Sequence, residues 1–145
     1  MLIGEYKHSI DPKGRITIPS RFRPELDTGF VITKGLDNCL FLYPLVEWEK
    51  IDAKLKTLPL TNKTVRSFVR TFFSGAIDSN IDKQGRVLIP QNLRDHAQIE
   101  IDKEAVIIGV SNRVEIWSIE NWEDYNQDEG LSYEEMAEKM VELGI

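Results

Sequence analysis

Two short segments of the chain carry the same arrangement of an aspartate, a glycine and an arginine. They are Asp11, Gly14 and Arg15 in the first segment, and Asp82, Gly85 and Arg86 in the second. Aspartate at the first position and glycine at the fourth match the preferences of a type I turn, in which the carboxylate accepts hydrogen bonds from the amides of the turn. Such a turn leaves Lys13 or Lys83 at an exposed tip and places the arginine at the root of the following strand.

Basic side chains at these positions suit a polyanionic ligand. Arginine can form two parallel hydrogen bonds with the O6 and N7 atoms of guanine or with a phosphate, and lysine supplies a mobile charge. Residues 7–23 hold five basic residues, among them Arg23, and a single acidic one, Asp11. This is a local positive patch around the first segment. We therefore predict a DNA-binding surface that contains Lys7, Lys13, Arg15, Arg21, Lys83 and Arg86.

The same residues permit a simpler interpretation. An aspartate and an arginine four positions apart across a turn can pair with each other, and exposed lysines need no ligand. Duplication of the motif favours the DNA-binding interpretation, because two copies of one basic loop on one compact body offer paired contacts.

Catalysis, metal binding and cofactor binding find little support in the sequence. His8 and His96 lack the spacing of metal ligands, and no glycine-rich phosphate-binding motif is present. Cys39 lies in an apolar stretch and is predicted to be a buried structural thiol. We expect no catalytic residue, no metal, no cofactor and no small-molecule substrate.

The charge of the chain is unevenly distributed. Its formal net charge is −6, but residues 1–99 hold 15 Lys and Arg against 11 Asp and Glu, whereas residues 100–145 hold 3 against 13. The acidity is therefore a property of the C-terminal part and does not exclude a nucleic-acid partner. No apolar run approaches the roughly 20 residues of a membrane span, and the N-terminus does not resemble a secretion signal, so a cytoplasmic location is expected.

An internal repeat organises the chain. Residues 10–23 align without gaps on residues 81–94, with seven of fourteen pairs identical, and residues 31–38 then align on residues 105–112. Trp48 aligns with Trp122. Each copy of about 45 residues is too small to bury a sufficient core alone, so the copies should pack on each other as one pseudo-symmetric body.

Hydrophobic patterning within the copies predicts an α+β fold that is mainly β. Short β-branched strands end at Pro19 and Pro90, and each is followed by a hairpin. Helices are expected after Pro44, after a capping Asn62, and after Ser132. The boundaries are a first unit over 5–47, connecting helices over 48–75, a second unit over 76–119, and an acidic helical segment over 120–145.

The motif Ile10 to Pro19, its echo at Ile81 to Pro90, and the opening Gly4-Glu5-Tyr6 together resemble the MraZ family of bacterial transcriptional regulators. The resemblance implies two tandem SpoVT/AbrB-like swapped-hairpin, or double-psi-type, β units in one chain. It also implies binding to repeated DNA boxes upstream of the division and cell-wall gene cluster, association with the nucleoid, and ring-shaped homo-oligomers. The family's Asp-x-x-x-Arg motif maps onto Asp11 and Arg15, and onto Asp82 and Arg86.

Two hypotheses of function follow. In the first, a homo-oligomer presents many weakly binding loops to repeated promoter boxes, so that multivalency raises the affinity for double-stranded DNA. In the second, the duplicated fold builds a ring-forming protein-interaction scaffold without sequence-specific DNA binding. Because the tips differ between the copies, the two loops need not have equal roles.

Overall fold

A computed structural model describes residues 1–128 and 130–144 of the chain. Its strands are β1 (Leu2–Ser9), β2 (Arg15–Thr17), β3 (Phe30–Lys34), β4 (Leu40–Pro44), β5 (Ile77–Ser79), β6 (Arg86–Leu88), β7 (Glu104–Ser111) and β8 (Val114–Ser118). Its helices are α1 (Arg23–Leu26), α2 (Leu45–Leu55), α3 (Lys63–Ser74), α4 (Gln91–Ala97), α5 (Ile119–Asp128) and α6 (Tyr133–Met140). The α+β class is confirmed. With two short 3-10 helices, Ser20–Phe22 and Val141–Leu143, helices hold 40% of the chain and strands 28%, so helix exceeds strand although a mainly β fold was expected.

The strands form a six-stranded antiparallel sheet in the order β1-β7-β8-β4-β3-β5 and a separate ladder of β2 with β6. The two expected hairpins, β3–β4 and β7–β8, lie side by side through the pairing of β4 with β8. At the edges, β1 of the first unit pairs with β7 of the second, and β5 of the second unit pairs with β3 of the first. Each unit thus completes the sheet of the other, as a swapped-hairpin arrangement requires.

The six-stranded sheet buries a different core on each face, because successive side chains of a strand point to opposite sides. One face, with Ile32, Leu42, Ile107 and Ile116, packs against the β2–β6 ladder and the helices α1 and α4. The other face, which includes Trp117, packs against aromatic side chains of α2, α3 and α5. The β2–β6 ladder and the three long helices therefore lie on opposite sides of the sheet.

Local sequence signals explain several helix boundaries. The Asn62 side chain accepts a hydrogen bond from the Val65 amide at the start of α3, and that helix ends at Gly75. Ser132 accepts a hydrogen bond from the Glu135 amide at the start of α6. These predicted caps are confirmed. No helix in the described part of the chain is long and apolar enough to cross a membrane.

Candidate nucleic-acid interface

The two repeated strands pair with each other. In the β2–β6 ladder, Arg15 lies opposite Leu88, Ile16 opposite Val87, and Thr17 opposite Arg86. Ile16 and Val87 are fully buried against the sheet, so the four residues that flank this central pair point outwards. The outer face of the ladder therefore carries both repeated arginines, which lie diagonally across it.

The first loop, residues 11–15, is held by hydrogen bonds to Asp11. Its Oδ1 accepts from the amides of Lys13 and Arg15, both at 2.9 Å, and its Oδ2 accepts from Nε of Arg15 at 2.7 Å. The Gly14 amide closes the turn on the Asp11 carbonyl at 2.9 Å, and Gly14 has a φ of +81°. The predicted turn is confirmed, and Lys13 lies exposed at its tip.

The second loop, residues 82–86, repeats this geometry. Oδ1 of Asp82 accepts from the amides of Gln84 and Arg86 at 2.9 Å, and its Oδ2 accepts from Nε of Arg86 at 3.0 Å. The Gly85 amide again closes the turn, with a φ of +79°. Lys83 is exposed, one position earlier in its turn than Lys13 is in the first.

The hydrogen bonds to the two carboxylates shift their ionisation. The amide of Arg15 is the largest cause that lowers the pKa of Asp11 below its ordinary value, followed by the side chain of Arg15 and the amide of Lys13. The amide of Arg86 likewise lowers the pKa of Asp82. Both aspartates are therefore ionised at neutral pH and fix their arginines in place.

The ion pair that the simpler interpretation predicts is present in both loops, because each arginine pairs with its own aspartate. Each pair uses Nε of the arginine. Among the described residues, the terminal nitrogens of Arg15 and Arg86 have no hydrogen-bond partner. These nitrogens are the donors that a phosphate or a guanine edge requires. Pairing with the aspartate orients each guanidinium, and 27% of the Arg15 side chain and 29% of the Arg86 side chain remain exposed.

Each loop is supported by an arginine of the other copy. Nε of Arg23 donates to the Ile18 carbonyl at 2.9 Å, and the Arg23 guanidinium packs directly on Gly85. In the same way, Nε of Arg94 donates to the Ile89 carbonyl, and a Cβ atom on Gly14 would lie 3.1 Å from Nε of Arg94. Sequence reasoning did not assign this role to either arginine, although their identity in the repeat was a signal that could have found it.

The exchange between copies also changes which loop the remaining basic residues accompany. The Ile18 amide, just after β2, donates to the Gly85 carbonyl at 2.8 Å, so the segment that follows β2 lies beside the second loop. That segment contains Arg21 and Arg23, which were expected near the first loop. A cleft of about 310 Å³ at this end of the ladder is lined by Tyr6, His8, Thr17, Ile18, Pro19, Ser20, Arg21 and Arg23.

Lys7 is the one predicted DNA-binding residue that the structure places apart from the others. It lies opposite Val106 in the pairing of β1 with β7, whereas its neighbour His8 lies opposite Ala105. Val106 belongs to the helix-covered core and Ala105 to the core beneath the ladder. Lys7 therefore points away from the ladder side of the sheet.

The remaining chemistry-bearing residues lie outside this surface. Cys39 is buried, and burial raises the pKa of its thiol far above the ordinary value, so it is a poor nucleophile. His96 contacts the Gly35 carbonyl at 3.2 Å. Within residues 1–128 and 130–144, no group of three His, Cys, Asp or Glu side chains has the geometry to hold a metal ion.

The fold and this surface define a class of protein in which two intertwined copies of one small unit present two similar basic loops on one face. The family model described as "MraZ protein, putative antitoxin-like" matches the chain twice, over residues 1–71 and 72–143. The chain belongs to the MraZ family, as the resemblance of its motifs predicted.

Relatives of the same length support this assignment. The chain is 61% identical to a protein of Clostridium tetani, 60% to one of Thermoanaerobacter pseudethanolicus and 59% to one of Alkaliphilus metalliredigens. Each similarity covers 100% of both chains, and each of these relatives is named "Transcriptional regulator MraZ".

Proposed function

We propose that this chain is a sequence-specific, double-stranded DNA-binding regulator of transcription and not an enzyme. The observation that carries the proposal is the outer face of the β2–β6 ladder. There Arg15 and Arg86 are held by their aspartates with their terminal nitrogens outward, and Lys13 and Lys83 are exposed beside them. The names of the relatives support the same conclusion.

The two arginines read or hold the duplex in a related orientation, because the strands that bear them are antiparallel about a pseudo-twofold axis. An arginine that forms two hydrogen bonds with guanine discriminates against other bases by roughly 1–3 kcal/mol. Lysines at the tips contact phosphates and fix the register without reading sequence. Leu88, exposed on the same face, is available for apolar contact with a thymine methyl group.

We further propose that several copies assemble into a ring that binds repeated boxes in a promoter region, namely that of the division and cell-wall gene cluster. Each copy contributes modest affinity, and the assembly multiplies these contacts by holding them at fixed spacing. In this proposal the protein is cytoplasmic and associates with the nucleoid. Regulation follows from occupancy of the promoter.

Titration of DNA from upstream of the chain's own gene against scrambled DNA of equal length tests this function, with fluorescence anisotropy as the readout. We expect tighter binding to the upstream DNA, and a loss of that preference in the Arg15→Ala/Arg86→Ala variant. Lys7→Ala is the matched control, because it removes one cation from the opposite side of the sheet. Equal binding to both DNAs would favour the protein-interaction scaffold.

A further inference from the structure

Helix α6 exposes an apolar side. Tyr133, Met136, Ala137 and Met140 recur at the spacing that places residues on one side of a helix. All eight residues of α6 are exposed, and the exposed fractions of Tyr133, Met136 and Met140 are 83%, 44% and 39%. A helix of this length gains most of its stability in water from packing of its apolar side. Its amphipathic pattern therefore indicates that another surface covers it.

The corresponding helix of the first copy shows what such a helix does when it is covered. The first match to the family model covers α2 and most of α3 after its hairpin, and the second covers α5 and α6 after its hairpin. In α3, Phe72 is buried and stacks on Trp48 at 5.4 Å between ring centroids. Its carbonyl accepts a hydrogen bond from Thr33 of the sheet. Helix α3 is fixed to the body, whereas the apolar side of α6 only lines an open cavity of about 600 Å³ with Asn126 of α5 and stays exposed.

An apolar groove of suitable size lies on the same face of the sheet. It has a volume of about 370 Å³ and is lined mainly by Phe41, Tyr43, Ile51, Leu55, Phe68 and Phe72. Phe68 remains 42% exposed there.

The charges of the groove and of α6 are complementary. Lys34 and His96 line the groove, and α3 beside it carries Lys63, Arg66 and Arg70 without any acidic residue. Helix α6 carries Glu134, Glu135 and Glu138 against Lys139 alone, and Glu142 follows it. The acidic α6 is therefore complementary to the α3 side of the groove, which has a cationic border, whereas α2 on the other side carries Glu47, Glu49 and Asp52 against Lys50 and Lys54.

We propose that α6 of one copy docks, apolar side inward, into the α2–α3 groove of a neighbouring copy. The proposal rests on the proposed assembly and names the contact that holds neighbouring copies together. The neighbour is favoured over the same chain because, among the described residues, none of α6 lines the α2–α3 groove of its own chain, and the apolar side of α6 lines a cavity with Asn126 of α5 instead. Because the same helix-in-groove contact is repeated around the assembly, the assembly is stable even though each single contact is weak.

Disulfide cross-linking between two full-length variants tests this contact. One carries Met136→Cys on the apolar side of α6, and the other carries Thr71→Cys, an exposed position that lines the groove. Cys39 is buried and contributes little background. After the two are mixed and mildly oxidised, we expect a covalent dimer on non-reducing gels, at a yield at least tenfold above that of either variant alone. The matched control pairs Thr71→Cys with Glu135→Cys, on the polar side of α6, and should cross-link at least tenfold less.

The mass of the assembly in solution separates this contact from the rest of the proposal. Met136→Glu should shift the mass of the wild-type assembly toward the 16.7 kDa of a single chain. If the wild type assembles but the mixed variants do not cross-link, or cross-link no better than the control, the docking of α6 is overturned while the assembly stands. A single-chain mass for the wild type would overturn the assembly and the docking together, and the DNA titration would still judge the DNA-binding loops.

Discussion

The first and second loops share one hydrogen-bonded frame and differ in what surrounds it. Asp11 and Asp82 each accept two amide hydrogen bonds and one arginine Nε, at distances that agree within 0.3 Å. The tips differ, with Pro12-Lys13 in one loop and Lys83-Gln84 in the other. Aspartate, glycine and arginine therefore fix the conformation, and the residues between them are free to set what each loop contacts.

The surroundings differ as well. Beside the second loop lie Arg21 and Arg23, whereas the equivalent residues beside the first loop are Asn92 and Arg94. The difference is one cation. The two ends of the ladder therefore resemble each other in geometry more than in charge. We expect Arg15 and Arg86 to have similar roles, whereas the phosphate contacts around them should differ.

Removal of both repeated arginines should have the largest effect. We expect Arg15→Ala and Arg86→Ala each to weaken binding to upstream DNA by about 5- to 150-fold, the equivalent of roughly 1–3 kcal/mol, and the double variant to lose more than either. Each substitution also leaves an unpaired aspartate facing a polyanion. Anisotropy titrations measure the affinities, with thermal unfolding as a check on folding. If one arginine could be removed without loss, the two loops would not be equivalent.

Substitution of the two loop glycines should separate the loops by stability. Both have positive φ, so alanine at either position costs roughly 1–2 kcal/mol. Gly85→Ala should cost about 1 kcal/mol more than Gly14→Ala, because its Cβ would displace the Arg23 guanidinium and its hydrogen bond to Ile18. Urea unfolding of both variants measures the difference.

The Arg23 side chain provides a control for this comparison. In a protein that already carries Arg23→Ala, the Gly85→Ala substitution should lower the free energy of unfolding by about as much as Gly14→Ala does. The Arg23 guanidinium that the new Cβ atom would displace is then no longer present. An equal cost of the two glycine substitutions would show that the support from Arg23 contributes nothing to stability.

The lysines at the tips should have a smaller effect on affinity. Each phosphate contact contributes about −0.9 to the slope of log affinity against log salt concentration. Lys13→Gln and Lys83→Gln should therefore each make that slope shallower by roughly one unit and weaken binding a few-fold at low salt. Titrations at several salt concentrations measure the slopes. An unchanged slope for one variant would show that its tip does not touch the backbone of the duplex.

Loss of the charge on the two loop aspartates should have the smallest effect on the free energy of unfolding, and the effect should be the same for both loops. Because folding lowers the pKa of Asp11 and of Asp82, their contribution to the free energy of unfolding is present above their ordinary value near 3.8 and is lost as the pH falls through the lowered values. Asp11→Asn and Asp82→Asn should each destabilise the protein at pH 7, and should destabilise it less at pH 3, which lies below the ordinary pKa. Urea unfolding at both pH values measures this. A pH effect confined to one variant would break the equivalence of the frames.

Much of this architecture could be predicted from the sequence because its signals are local or repeated. The turns depend on Asp and Gly at fixed offsets, the start of α3 depends on Asn62, and the duplication is visible by self-comparison. The exchange of strands between copies depends on pairings between residues far apart in sequence. The resemblance to a family implied swapped hairpins, but the pairing of β1 with β7 was not predicted.

The same exchange explains what the residues alone could not assign in the candidate interface. Arg21 and Arg23 follow the first loop in sequence but lie beside the second, because β2 runs antiparallel to β6 and therefore ends next to the second loop. Lys7 is close to the first loop in sequence, yet the alternation of β1 turns it to the other side of the sheet. Neither placement leaves a local signal.

Site-directed cleavage of DNA tests most directly whether the two loops contact one duplex. An iron chelate attached through Lys13→Cys or Lys83→Cys, with Cys39 buried and unreactive, should cut upstream DNA next to the loop that carries it. The same chelate on Lys139→Cys, in α6, serves as the control. We expect cuts from both tips within the same bound site, and none from the control position. Protein that binds the DNA but cuts only from the control position, or from neither tip, would contradict the account.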